Sequence, residues 1–355
     1  MSRFFSTKYR QLTPYTPGEQ PQGMERYVKL NTNESPFPPS EKALAYASEH
    51  TRKLNLYPDP EMRELTAKVA EMCGVKPENV LLTNGSDEIL NFAFMAFCDA
   101  THPAAFPDIT YGFYPVFAAL CGVPYTEIPL TENFSIDLEN YVNLNQTVFI
   151  ANPNAPTGVA LTVDEIEGIV SSNPDSVVVI DEAYVDFGGE SCVPLIRKYG
   201  NLLVTQTFSK SRSMAGARLG FGVACPELIR DLNTIKYSTN PYNINSMTAA
   251  AAMGTLLDAD YTRANRAAIA ENRSYTAAEL KKRGFTVLDS AANFLFARTD
   301  AMEGGALYRA LKERGVLVRH FDKARIVDYN RITIGTREQM DMFLSALDGI
   351  LEERK

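Results

Sequence analysis

The run Val177-Val178-Val179-Ile180 limits what this chain can fold into more than any other segment: four consecutive β-branched apolar residues with nothing polar among them. A strand with one face in water alternates apolar and polar residues, so an unbroken run belongs in a sheet covered on both faces. The same signature recurs at Val80-Leu81-Leu82, Val148-Phe149-Ile150, Leu202-Leu203-Val204 and Phe221-Gly222-Val223, with helical segments between them from about residue 40 onward. That alternation predicts an α/β fold, a mainly parallel sheet flanked by helices.

The ends of the chain read differently. Residues 1–38, with Thr13-Pro14-Tyr15-Thr16-Pro17-Gly18 and Pro36-Phe37-Pro38-Pro39 at their close, cannot form a long helix or a central strand and are expected to be an extended arm. A large ligand-binding domain is expected over 39–250 and a smaller α+β C-terminal domain over 251–355. The proline-free stretch Ile244–Lys282, rich in Ala, Arg and Glu, reads as one or two long helices leading out of the sheet. Beyond it, Phe285–Leu288, Phe294–Ala297, Val316–Arg319 and Arg331–Ile334 read as strands.

Composition narrows the partners. A net charge of −8 without a block of like charge argues against nucleic acid or an anionic membrane as partner, so basic residues that converge are expected to serve a small anion. Five scattered cysteines without CxxC spacing fit reduced thiols, and three histidines without ligand spacing leave no basis for a metal site. No stretch approaches the ~20 apolar residues of a membrane span, and the opening Met-Ser-Arg-Phe-Phe lacks a long apolar region, so the expected location is cytoplasmic.

In open α/β sheets ligands bind at the carboxyl ends of the strands, so the residues following each strand form one set. After Val80–Thr83 come Gly85-Ser86-Asp87-Glu88 and an apolar helix, whose N-terminus suits a phosphate or simply carries an N-cap. After Val148–Ile150 comes the turn Asn152-Pro153-Asn154-Ala155-Pro156-Thr157-Gly158, which could present the Asn154 amide to a cleft or be a plain connector. After Ile180 comes Asp181-Glu182-Ala183-Tyr184, a carboxylate where an unpaired charge would be costly. After Leu202–Val204 comes Thr207-Phe208-Ser209-Lys210, with Arg218 eight positions beyond the lysine (218 − 210 = 8).

These pieces explain one another if the ligand is pyridoxal 5′-phosphate. Lys210 would be its covalent anchor, Ser209 and Arg218 would hold its phosphate, and Asp181 would keep its ring nitrogen protonated. Asn154 and Tyr184 would hydrogen-bond its ring hydroxyl, and Tyr111 would cover a ring face or be ordinary core. The rival from doubly wound folds, a nicotinamide site, lacks its GxGxxG after a strand.

With these motifs assembled, the chain resembles the fold-type-I aminotransferases nearly end to end, and within them the histidinol-phosphate aminotransferase family. The matching segments are Leu12–Tyr15, Leu30–Glu34, Tyr57–Pro60, Gly85–Glu88, Asn152–Gly158, Asp181–Tyr184, Ser209-Lys210 with Arg218, and Arg331–Thr336. The chain departs at Ser35-Pro36-Phe37-Pro38, where the family commonly has Asn-Pro-Tyr-Gly. The resemblance implies a seven-stranded large-domain sheet, and adds Thr207 to the cofactor site and Asn33 to the substrate site. It also implies a homodimer with shared active sites, in which Tyr57 reaches the partner's cofactor phosphate.

The activity implied is transamination of L-histidinol phosphate with 2-oxoglutarate, Lys210 acting as anchor and base. That substrate carries a phosphate where amino acids carry a carboxylate, and a doubly charged group calls for more than one arginine. Arg331, Arg319 and Tyr15 are expected to form that clamp. An aromatic or broad-specificity aminotransferase and a threonine-phosphate-type decarboxylase share much of this pattern. A purely ligand-sensing regulatory domain would need a DNA-binding extension.

Overall fold

A computed structural model describes residues 2–10, 12–23 and 26–353; Met1, Gln11, Met24 and Glu25 of the expected arm, and the last two residues of the expected C-terminal domain, lie outside them. The strands in chain order are β1 (Val28–Lys29), β2 (Val80–Thr83), β3 (Ala104–Pro107), β4 (Tyr125–Ile128), β5 (Thr147–Ala151), β6 (Val178–Asp181), β7 (Leu202–Thr207), β8 (Gly220–Ala224), β9 (Phe285–Val287), β10 (Phe294–Thr299), β11 (Val316–Leu317), β12 (Arg319–His320) and β13 (Asn330–Thr333). The helices are α1 (Glu41–His50), α2 (Arg63–Cys73), α3 (Ser86–Phe97), α4 (Tyr114–Cys121), α5 (Val163–Ser172), α6 (Pro226–Thr239), α7 (Ser246–Leu256), α8 (Ala259–Lys282), α9 (Gly304–Glu313) and α10 (Arg337–Glu352).

The valine run forms β6, the middle strand of a seven-stranded sheet of order β2-β8-β7-β6-β5-β3-β4. Its side chains split between two apolar layers: Val178 and Ile180 pack with Val69, Ile166 and Val170, whereas Val179 packs with Phe94, Phe117 and Leu232. Burial of both faces is therefore why the run contains no polar position. The sheet is mainly parallel, but β8 runs antiparallel to both β2 and β7. Two of its strands carry no β-branched run: β3 is Ala-Ala-Phe-Pro, and β4 is an edge strand with three exposed residues.

Reversal of β8 matters for the site. The carboxyl ends of β2, β3, β5, β6 and β7 share one edge of the sheet, and β8 brings its amino end there, so Arg218 arrives beside the loops after β2 and β7. The backbones meet closely: a Cβ on Gly220 would stand 2.3 Å from the Ser86 nitrogen. Only glycine lets β8 and the start of α3 approach this way.

The expected helical stretch 244–282 is α7 followed by α8. The expected boundary at 250–251 falls inside α7, which places Ala252 in the core of the large sheet, while α8 places Ile269 in the second core. That second core covers a four-stranded antiparallel sheet of order β12-β13-β10-β9. The strand expected over 316–319 divides, with β11 pairing in parallel with β1 of the arm and β12 joining β13. Val28 and Leu30 thus anchor the arm's end in the second core. No helix among the described residues is long and apolar enough to cross a membrane.

Candidate active site

Asp181 closes β6 and is 5% exposed. Its carboxylate accepts from Tyr114 Oη (3.3 Å), Thr205 Oγ1 (3.4 Å) and the Ala183 amide (3.2 Å). None of these donors is a cation. Burial, and then the nearby Asp87 charge, push the Asp181 carboxyl up from 3.8 to about 7. It lines a cavity of about 360 Å³ whose walls also include Ser86, Asp87, Thr207, Ser209, Lys210 and Arg218. An ionised carboxylate there calls for a positive partner inside the cavity, which a protonated pyridine nitrogen would supply.

Opposite Asp181 the cavity is built for an anion. Ser86 and Asp87 open α3, where the first N–H groups of a helix lack intrahelical acceptors, and the Glu88 amide already turns back to the Gly85 carbonyl (3.3 Å). Arg218 Nη1 donates to Ser209 Oγ (3.4 Å), and Thr207 Oγ1 lies 3.0 Å from the same hydroxyl. Arg218 and Gly85 both have positive φ (58° and 78°), and a Cβ on Gly85 would meet the Arg218 guanidinium at 2.6 Å. The Asp87 carboxylate is committed elsewhere, to Arg218 Nη2 (3.2 Å) and to the Tyr111 hydroxyl (2.6 Å). What Asp87 can offer a phosphate is its backbone.

Lys210 stands between this cavity and a larger one of about 700 Å³; Thr32, Tyr111, Ala155 and Tyr184 also line both. Its Nζ donates to the Thr32 carbonyl (3.2 Å) and lies 5.8 Å from the centre of the Tyr184 ring. The Tyr184 hydroxyl accepts from Asn33 Nδ2 (2.9 Å), and Asn33 is in turn locked to Thr333 of β13. Asn33 therefore orients Tyr184. Asn154 Nδ2 donates to the Ile109 carbonyl and to Thr157 Oγ1, both at 3.0 Å, and its neighbour Ala155 lines both cavities. The turn points its amide back into the Ile109–Thr110 loop, where it braces the segment carrying Tyr111.

The larger cavity is walled by Tyr15, Asn33, Arg319 and Arg331. Tyr15 stacks on Phe113 with ring centres 4.2 Å apart, and burial raises its hydroxyl's pKa although Arg319 and Arg331 pull the other way. Arg331 donates to the Asn31 carbonyl (2.9 Å), and its buried Nε–H has no acceptor among the described residues. Arg319 donates to the carbonyls of Thr16 and Pro17, both at 3.2 Å. Phe321 lies beneath both guanidiniums, 5.6 Å from Arg319 and 5.7 Å from Arg331. Sequence reasoning missed Phe321, along with Tyr114 and Thr205; an aromatic two residues after Arg319 on the same strand edge was the only available signal.

Tyr57 lines neither cavity. It is 83% exposed and stacks on Tyr242, ring centres 4.6 Å apart.

The sequence matches the family of class I and II aminotransferases over residues 25–347. It is 46% identical to a histidinol-phosphate aminotransferase of Brachyspira hyodysenteriae across 99% of this chain and 100% of that protein. Identity to histidinol-phosphate aminotransferase 1 of Bordetella parapertussis is 47%, across 99% of each. The backbone follows the crystal structure of histidinol-phosphate aminotransferase from Sinorhizobium meliloti in complex with pyridoxal-5′-phosphate, with a TM-score of 0.89 over 100% of this chain and 99% of that one; at 24% identity this is a likeness of fold.

Proposed function

The chain belongs to the class I and II aminotransferases, and within them to the histidinol-phosphate aminotransferases; from that premise we propose that it uses pyridoxal 5′-phosphate to transfer the amino group of L-histidinol phosphate to 2-oxoglutarate. The products are imidazole acetol phosphate and glutamate, a step of histidine biosynthesis. The observation that carries the substrate assignment is the pair of guanidiniums, Arg319 and Arg331, over one aromatic ring in the cavity that Lys210 also lines. A carboxylate can be held by one such fork, whereas a phosphate dianion gains from two.

When bound, the cofactor supplies an aldehyde that takes up the amino group and a ring that draws electrons from the reacting carbon. Asp181 would hold the proton on the ring nitrogen, Tyr184 would donate to the ring hydroxyl, and Tyr111 would cover a face of the ring. Ser86, Thr207, Ser209, Arg218 and the Asp87 backbone receive the cofactor phosphate. Lys210 would anchor the cofactor, and its Nζ is the amine placed to move a proton at the substrate's Cα. Arg319, Arg331, Asn33 and Tyr15 bind and orient the substrate, and Tyr15 with the arm keeps water from the larger cavity.

The protein works in the cytoplasm as a homodimer with shared sites, Tyr57 extending to the partner's cofactor phosphate; its exposure in the single chain supports this. Mixing Lys210→Ala with Tyr57→Ala subunits should restore part of the activity, and silence after proven subunit exchange would refute the sharing. For the reaction itself, purified protein is incubated with histidinol phosphate and 2-oxoglutarate and glutamate is measured. Turnover of aromatic amino acids without turnover of histidinol phosphate would overturn the substrate assignment.

A further inference from the structure

Both loops that bear the proposed chemistry lead into one mostly buried carboxylate, its side chain 18% exposed, that sequence reasoning did not single out. Asp186 lies five residues beyond Asp181 (186 − 181 = 5), in the short helical turn Val185–Phe187 that follows Tyr184. Its Oδ2 accepts from the Ser211 hydroxyl and from Arg212 Nη1 (3.0 Å), the two residues directly after Lys210. Its Oδ1 pairs with Arg266 Nη1 (3.1 Å) of α8, and Arg266 Nε donates to the Asp186 carbonyl (3.1 Å). Arg212 is 8% exposed and folds back to the Thr207 carbonyl (3.3 Å), so the loop between β7 and Lys210 closes around this ion pair. Burial disfavours the charged form of Asp186, yet Arg212 and Arg266 outweigh it and hold the carboxyl below its ordinary range.

We propose that Asp186 is a positioning residue for Lys210: one carboxylate ties the loop carrying the lysine to the loop carrying Tyr184 and to the helix that leads into the second sheet. The proposal rests on the function given above. An exposed ion pair would contribute little, but here three cationic or hydroxyl donors converge on one mostly buried acceptor, the Arg212 partner is itself buried, and Ser211 and Arg212 directly follow the lysine along the chain. Loss of the tie frees the Lys210 backbone at the point from which Nζ must reach both the cofactor and the substrate's Cα. A displacement of about 1 Å at such a point can cost on the order of 100-fold in rate without abolishing binding.

The test uses the cofactor-loaded protein and two variants, Asp186→Asn and Ser211→Ala. Ser211→Ala removes one hydrogen bond next to Lys210 and leaves the ion pairs in place, so it reports even where Asp186→Asn fails to fold. The readouts are kcat, KM for glutamate, and circular dichroism in the visible band of the bound cofactor, which senses the tilt of its ring. Expected are a fall in kcat of roughly 10- to 100-fold for Asp186→Asn and a few-fold for Ser211→Ala, KM within about 2-fold, and an altered visible band in both. Unchanged kcat and visible band in Ser211→Ala, with Asp186→Asn either unfolded or merely melting at lower temperature, would make Asp186 a structural residue and end the proposal. A wild-type protein with no visible band at all would instead remove the cofactor reading, and this proposal with it.

Discussion

The two halves of the active site are held together in opposite ways. Around Asp181 the donors come from the large sheet and the helix beside it: Thr205 lies across the ladder on β7, Tyr114 opens α4, and the Ala183 amide is two residues on. Around Arg319 and Arg331 the acceptors are arm carbonyls, Thr16, Pro17 and Asn31, some 300 residues away in sequence. Glu19 reinforces that arrangement by pairing with Lys312 and accepting from Tyr308 of α9 (2.6 Å), while its carbonyl accepts from Asn31 (2.8 Å). The difference teaches where each task is placed. On the proposed roles, chemistry common to every substrate would rest on a sheet buried on both faces, and recognition of the particular substrate on arginines braced by a strap along the cleft.

If that division is right, damage on the sheet side lowers turnover of every substrate, and damage on the arm side is selective. The largest effect is expected for Lys210→Ala, a loss on the order of 10⁴-fold or more with both phosphorylated and carboxylate substrates. Borohydride reduction of the wild type followed by peptide mass analysis should place the cofactor on Lys210, and a label on another lysine would sink the assignment.

Asp181→Ala comes next, at about 10²-fold or more on all substrates. The same carboxylate has a pH signature in the cofactor-free protein. Because its folded-state pKa is raised from 3.8 to about 7, the folded chain keeps a proton that the unfolded chain releases, so stability falls as pH rises from about 4 to 7. The component amounts to about 4 kcal/mol at most. Asp181→Asn should remove it, and thermal melting from pH 4.5 to 8 compares the two; parallel curves would show that Asp181 has a cationic partner without the cofactor.

Arg319→Ala is the sharper test of the comparison. Loss of one charge-assisted hydrogen bond predicts about a 10- to 150-fold fall in kcat/KM for histidinol phosphate and clearly less for an aromatic amino acid. Equal losses would mean that Arg319 serves the arm alone. The smallest effect is expected for Glu19→Gln, a half-exposed ion pair: a few-fold rise in KM for the phosphorylated substrate with kcat kept, alongside faster proteolysis of the arm. A fall in kcat with every substrate would erase the distinction between the two sides.

Much of this was readable from local pattern. Apolar runs without alternation report burial on both faces wherever they occur, and the residue after such a run must lie at a sheet edge, so Asp181, Ser86 and Lys210 were legible as one set before any contact was known. The strands β3 and β4 were not, since neither the Ala-Ala-Phe-Pro of one nor the exposed edge of the other carries that pattern. Asn154 marks the same limit for a side chain: its place in the turn was evident, but the Ile109 carbonyl to which its amide donates lies in a loop more than forty residues earlier. Asp186 and the carbonyls that grip Arg319 carry no local signature at all. The order of elements and the chemistry available at their ends are properties of neighbouring residues along the chain, whereas the direction of each polar group is settled by which distant acceptor comes within 3 Å once the sheet, the arm and the second core have packed.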